Sequence, residues 1–410
     1  GATTSTTSKI TQPTYVKGTK FEELDPVIIA ESNYLRQNKK CDLILLLAHE
    51  GPRRNESGEY RKDFGIVPIF HRLPPGILDA AVCGHSHIRV QEVIEGIPTI
   101  QAGLYGQAVG VMRIHGNEKR KKVSFDPWIE VPKKAEQADI TQLLAPYREA
   151  AAEVKKAPIG STVAPFMRNY VVENALGNMI ADAILVGGKT AGDASFSLIN
   201  AGGIRNDLPL GQLTYGDLFQ VYPFENLLAI AELKGSEVRR MIEIALSGQV
   251  GEASVSNLHI TRLDVAPGVT GPWDRDLDGN GVKETWERNL IISIQDRNGK
   301  EISNDEIYRV ATIDYLTNGG DYQSAVFDDV PVERIHVYPE FSAREILKDF
   351  ITSNSAIDPN IFYTEQTRRI TPIPLKENPS KPAFLFPPPP SATIYGAYDV
   401  PTPISGLDLN

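Results

Sequence analysis

Two apolar runs that each end in histidine constrain this chain more than any other feature. Leu43-Ile44-Leu45-Leu46-Leu47-Ala48 leads into His49, and Ala81-Val82-Cys83 leads into Gly84-His85-Ser86-His87. A continuous apolar run of this length, bounded by polar residues, reads as a strand covered on both faces, and in such sheets ligands collect beyond the strand ends. Three imidazoles can therefore converge at one sheet edge. Neutral imidazole suits zinc, manganese or iron, and Gly84 lets the backbone turn sharply enough for His85 and His87 to project toward one point. The alternative is three polar caps on strand ends. His71, His115, His259 and His336 lack this setting and read as surface or satisfied core residues.

Beyond His87 the pattern continues as short strands, 99–103 and 109–114, expected to complete the first sheet layer. From Asp139 the spacing turns helical, with Ile140, Leu143, Leu144, Tyr147, Ala151 and Val154 on one stripe and Asp139 placed as the N-cap. This is the expected interdomain helix. Further apolar helices run through Leu176, Met179, Ile180 and Ile184, and from Ser236 through Val238, Met241, Ile242 and Ala245. From about Thr371 the chain is rich in proline and reads as an extended tail.

The two histidine segments resemble the calcineurin-like metallophosphoesterases, in which a histidine after one strand and Gly-His-x-His after the next ligate a two-metal centre. Downstream, Asn200-Ala201-Gly202-Gly203-Ile204-Arg205, Thr214-Tyr215-Gly216-Asp217, Tyr222-Pro223-Phe224-Glu225-Asn226 and Asp314-Tyr315-Leu316-Thr317-Asn318-Gly319-Gly320-Asp321 look like successive blocks of the 5'-nucleotidase C-terminal domain. Glu173-Asn174-Ala175-Leu176-Gly177-Asn178 adds a further block, and ordered blocks are far more specific than one motif.

The resemblance implies an α/β and α+β chain. Residues 1–130 would be the remnant of a four-layer α/β/β/α metallophosphoesterase domain, 131–160 an interdomain helix, 161–370 a substrate-binding α+β domain and 371–410 the tail. It implies two divalent transition metals, zinc, manganese or similar, with His49, His85 and His87 as ligands. It also implies a nucleoside held between Phe224 and Tyr315, ribose hydroxyls donating to Asp321, amides of Asn200 and Asn226 near base and sugar, and phosphate on Arg205. Arg168 fits no clean register. The family's Asp-x-His, Gly-Asp and Asn-His blocks lie upstream of these histidines and none of them precedes His49 here, so no catalytic histidine is assigned. The chain opens at Gly1 without initiator methionine, basic n-region or apolar h-region, and the expectation is a fragment that is inactive by itself. The activity implied is 5'-nucleotide hydrolysis. Alternatives on the same scaffold are a 2',3'-cyclic-nucleotide phosphodiesterase, a UDP-sugar hydrolase, or an inert nucleotide-binding protein. The location implied is periplasmic, secreted or surface-bound.

One segment lies outside the family pattern. Asp276, Asp278, Asn280, Val282, Glu284 and Glu287 stand at positions one, three, five, seven, nine and twelve of a loop with Gly281 at six, which is calcium-loop spacing with Val282 offering its carbonyl. The alternative is a solvated acidic turn. Strands flank it, so a structural clamp is expected, with no direct catalytic role.

Composition narrows the partners. Acids outnumber bases 52 to 42, for a formal charge of −10, which argues against a nucleic-acid polymer held by its phosphates. No apolar stretch approaches the roughly 20 residues of a spanning helix. Cys41 sits at the start of one strand and Cys83 near the end of another, so if the strands run parallel a disulfide would have to bridge opposite ends of the sheet, and free thiols are expected. Oligomeric state is not legible.

Overall fold

The computed structural model describes residues 1–374 apart from 12, 55–57, 63, 118–121, 133–136, 266–268, 277–280, 285 and 355. The chain divides into two compact units, which among the described residues comprise 1–7 with 19–132 and 8–18 with 137–374.

In the first unit a five-stranded sheet runs in the order Ala2–Thr3, Leu45–His49, Ala80–Val82, Ile97–Ala102, Arg89–Ile94. All neighbours are parallel except the last pair. Helices Leu24–Gln37 and Ile66–Arg72 contribute Ile28, Ile66, Val67, Ile69 and Phe70 to a core that takes Ile44, Leu46, Ala48 and Ala81 from the sheet. Because side chains alternate along a strand, the other face carries Leu45, Leu47 and Val82, which are 43, 60 and 39 % exposed. The expectation of a strand covered on both faces is thereby corrected for Leu45–His49, which buries one face only, whereas Thr99, Ile100 and Gln101 are buried in succession on Ile97–Ala102. The strand Val109–Asn117 does not extend the sheet either. It pairs antiparallel with Lys122–Glu130 as a separate two-stranded ribbon.

The second unit is built on a five-stranded sheet in the order Ser254–Ser256, Phe196–Ile199, Ile307–Ile313, Leu227–Lys234, Ile335–Ser342. The helix Ala175–Gly192 is apolar nearly all round and contributes Leu176, Met179, Ile180, Ala183 and Ile184 to the core. Its start is fixed by Asn174, whose side-chain oxygen accepts the Gly177 N–H at 3.0 Å. Glu173 is buried and accepts from Asn178 Nδ2 and from the backbone N–H groups of Arg369 and Ile370, stapling the helix to a late strand. That strand, Ile370–Pro374, pairs in parallel with Leu258–Asp264, so the expected tail begins with ordered sheet structure.

The topology fixes where the motif blocks meet. Phe196–Ile199 and Ile307–Ile313 are parallel neighbours, so the residues after Ile199 and after Ile313 leave the same edge of the sheet. Leu227–Lys234 and Ser254–Ser256 run antiparallel to them and enter from that edge, with Leu228 opposite Ile313 and Ser254 opposite Ile199. Four loops therefore cluster there: 200–205, 222–226, 250–253 and 314–323.

The helix expected from Asp139 spans Ala138–Lys156, with Gln137 at the cap and Asp139 inside the first turn, so Asp139 does not cap it. None of its residues is buried, and the stripe of Ile140, Leu143, Leu144, Tyr147 and Val154 is exposed. No described helix is long and apolar enough to cross a membrane. Cys41 and Cys83 are free, and burial pushes the Cys83 thiol up to about 12.

Candidate functional site

At the shared sheet edge three predicted residues form one buried polar cluster. Asn200 Nδ2 donates to Asp321 Oδ2 at 2.7 Å, and Tyr315 Oη donates to Asp321 Oδ1 at 2.8 Å. Asp321 is 8 % exposed, and its burial pushes the carboxyl above its ordinary value while the two donors pull it back. The Tyr315 hydroxyl is also 2.9 Å from the carbonyl oxygen of Ile10, and burial followed by the Asp321 charge raises its pKa. Tyr315 lies flat on Gly320, where a Cβ would come within 2.6 Å of the ring carbons. That close approach explains the glycine. Asp321 and Tyr322 then both adopt left-handed backbone, with φ of 52° and 65°.

Phe224 stands 45 % exposed on the 222–226 loop, with the Arg205 guanidinium 5.9 Å above its ring. Arg205 Nη1 donates to the Gly202 carbonyl. The helix Tyr215–Val221 that delivers this loop starts on a capping box, Thr214 and Asp217 each accepting the other's backbone N–H. Asn226 is half-buried and its carbonyl accepts from Ala343 N, which anchors the loop's far end. The structure thus joins Asn200, Tyr315 and Asp321 directly and Arg205 with Phe224 as a second pair.

Sequence reasoning missed Arg344. It is 7 % exposed, donates to the carbonyl of Pro223 and to Tyr215 Oη, and lies 4.9 Å from the Phe219 ring, so it braces the loop bearing Phe224. An arginine in an amphipathic helix carries no sequence signal for such burial. Gln323, 1 % exposed and bonded through Nε2 to the Met241 carbonyl, was missed too, because a glutamine in a turn reads as solvated. Arg168, left open above, donates its N–H to Asp207 and its Nε to the Ile204 carbonyl, a loop-tying role.

In the first unit His49 and His85 come together, ring centroids 5.1 Å apart, while His87 packs edge-on to Tyr105. His85 and His87 hold left-handed backbone at φ 68° and 62°, a conformation uncommon outside glycine though histidine enters it more readily than most. Gly51 is required beside them, because a Cβ there would stand 2.4 Å or less from Gln101 Oε1, the Gly84 carbonyl and Ser86 Oγ. Among the described residues no group of three His, Cys, Asp or Glu side chains is placed to hold one metal ion.

In the acidic loop Asp276 Oδ2 accepts the Gly281 N–H at 2.9 Å, and Gly281 turns at φ 84°. Glu287 is fully buried and its Oε2 accepts the Glu284 N–H at 2.8 Å, while Val282 is exposed. Asp278 and Asn280 lie outside the described residues. The loop is nearer the carboxylate cluster than its sequence position suggests: Trp286 stacks on Tyr322 at 5.1 Å, next to Asp321.

Residues 152–328 match the family model described as the 5'-nucleotidase C-terminal domain. Among similar curated proteins, a 5'-nucleotidase of Vibrio cholerae is 27 % identical over 408 residues, covering 88 % of this chain and 67 % of that protein. Protein UshA of Yersinia enterocolitica is 26 % identical, covering 87 % of this chain and 67 % of its own length. In fold the chain is similar to a 5'-nucleotidase precursor from Thermus thermophilus, with a TM-score of 0.66 at 20 % identity, over 86 % of this chain and 68 % of that one. A Staphylococcus aureus protein described as a putative 5'-nucleotidase gives a TM-score of 0.60 at 15 % identity, over 90 % and 71 %.

Proposed function

From the match of residues 152–328 to the 5'-nucleotidase C-terminal domain, we infer that the second unit binds the nucleoside of a 5'-nucleotide whose phosphate ester is the bond to be hydrolysed. The observation that carries this reading is the buried Asn200–Asp321–Tyr315 cluster opening at the sheet edge that also bears Phe224 and Arg205. A carboxylate that already accepts one donor on each oxygen retains lone pairs for the two hydroxyls of a ribose diol. Phe224 and the Tyr315 ring supply base-tolerant stacking, Asn200 and Asn226 supply amides, and Arg205 offers a planar fork of donors to phosphate. A 2',3'-cyclic phosphate has no free diol to give Asp321, which favours a 5'-ester as ligand over the cyclic one.

His49, His85 and His87 are the proposed metal ligands, supported by the His49–His85 pairing and the left-handed turns at His85 and His87. Bound divalent ions would supply Lewis-acid charge and a water ionised near neutral pH. The carboxylate and asparagine blocks that complete such a centre in the family do not precede His49 in this sequence, so we propose that this polypeptide binds nucleotide without turning it over. An extracytoplasmic setting and a structural calcium in the 276–287 loop belong to the same proposal, the latter supported by the Gly281–Asp276 bond.

Titration calorimetry of the full chain with adenosine and AMP tests the reading. Both should bind, AMP more tightly, and Arg205→Ala should bring AMP down to the affinity of adenosine. Absence of binding by either would end it. Phosphate release from AMP with manganese should stay at background, and sustained turnover would refute the inert part of the proposal.

A further inference from the structure

Asn200 and Gln323 are 5 % and 1 % exposed, and the orientation of each amide is fixed by its nitrogen. Asn200 Nδ2 donates to the Asp321 carboxylate and Gln323 Nε2 donates to the Met241 carbonyl. Turning either amide over would face an oxygen against an acceptor, so each must present its remaining carbonyl oxygen elsewhere. Among the described residues neither Asn200 Oδ1 nor Gln323 Oε1 has a hydrogen-bond partner. Both residues line one cavity of about 10 Å³, walled otherwise by Asp321 and by small or apolar residues such as Leu198, Val250 and Leu316. That is about the room a single water requires, and with each Asp321 oxygen already accepting from the Asn200 amide or the Tyr315 hydroxyl, the two unpartnered amide oxygens call for one neutral species with two donors.

We propose that this cavity is the seat of one buried water that donates to Asn200 Oδ1 and Gln323 Oε1 together, and that Gln323 is through it a positioning residue for Asp321. With the water in place, the Asn200 amide is held with its nitrogen on the carboxylate and its oxygen satisfied. Without it, a buried acceptor is left unpaired, and the amide gains by turning toward any other donor, releasing Asp321. The positioning role rests on the reading that Asp321 receives the ribose diol; the water site does not.

The test begins with a high-resolution crystal structure of the full wild-type chain, where a peak within hydrogen-bond distance of both oxygens is expected. Gln323→Met, close in volume but without polar atoms, should lose that peak. Binding of adenosine to the variant should weaken about tenfold, while 2',3'-dideoxyadenosine, which offers no diol, should change by less than about twofold. A purely structural role would weaken both alike. No density between the two oxygens in the wild type, or an unchanged ratio of the two affinities in Gln323→Met, overturns the proposal. A wild type that binds both nucleosides equally would count against the diol reading of Asp321 and against the positioning role, and the density would still decide the water site if the variant failed to fold.

Discussion

Asp321→Asn separates what the carboxylate does for binding from what it costs the fold. The Tyr315 hydroxyl has one proton and two acceptors in reach, Asp321 Oδ1 and the Ile10 carbonyl. In the variant the new amide oxygen would accept from Asn200 Nδ2 and its nitrogen would donate to Tyr315 Oη, which frees the phenolic proton for Ile10. Every buried group keeps a partner. Asparagine also tolerates the left-handed backbone at φ 52° as readily as aspartate does. The fold should therefore survive, and the sign of the pH effect follows from the carboxyl's position above its ordinary value of 3.8. A raised carboxyl contributes its stability fully below the unfolded pKa and loses it as pH climbs through the folded one, so the variant should gain on the wild type as pH rises from about 4 toward neutrality. Binding moves the other way. Losing a charged acceptor for the diol costs about 1.5–3 kcal/mol, roughly 10- to 100-fold in adenosine affinity, with 2',3'-dideoxyadenosine unaffected. Chemical denaturation across pH and calorimetry at pH 7 measure the two effects. Undiminished adenosine binding, or a stability difference that shrinks as pH rises, would refute the reasoning.

Two other outcomes are expected. Phe224→Ala should weaken adenosine and uridine alike by about 1–3 kcal/mol, because stacking uses a face that every base has; calorimetry with both nucleosides checks it. Millimolar calcium should raise the melting temperature of the full chain and perturb Trp286 fluorescence through its stack on Tyr322, and Asp276→Ala should abolish both responses.

Local pattern carried the second unit well. The helices at Ala175–Gly192 and Gly235–Ala245 follow from 3.6-residue apolar spacing, and the motif blocks map onto loops at one sheet edge. What decides their meeting is strand order and direction, which no block contains. The register of Val310 on Phe196 brings residue 200 to residue 321, and a sequence offers no direct signal for that pairing. Gln323 and Arg344 were illegible because their roles depend on what lies behind them. The 43–48 run misled for a related reason: an apolar strand announces a demand for two covered faces, but whether the second face is covered depends on partners elsewhere. Here Leu45 and Leu47 remain exposed. The apolar stripe on Ala138–Lys156 shows the same ambiguity, since periodicity marks a face without saying what packs on it.

Backbone strain gives an independent pointer to both candidate sites. Nine described residues other than glycine have positive φ, and His85, His87, Asp321 and Tyr322 are among them. Tyr105, which packs on His87, is a fifth. Such conformations cost of order 1–3 kcal/mol each and persist only where the surroundings hold them. At Asp321 the holding groups are visible: donors from Asn200 and Tyr315 fix the carboxylate, and the Trp286 stack fixes Tyr322. At His85 the neighbouring ring of His49 and the tight Gly51 approach do the same. Aspartate and histidine are, with asparagine, the side chains that enter the left-handed region most readily, so His85, His87 and Asp321 fall at the low end of that cost. The sharper pointers are Tyr105 and Tyr322, bulky residues held left-handed beside them.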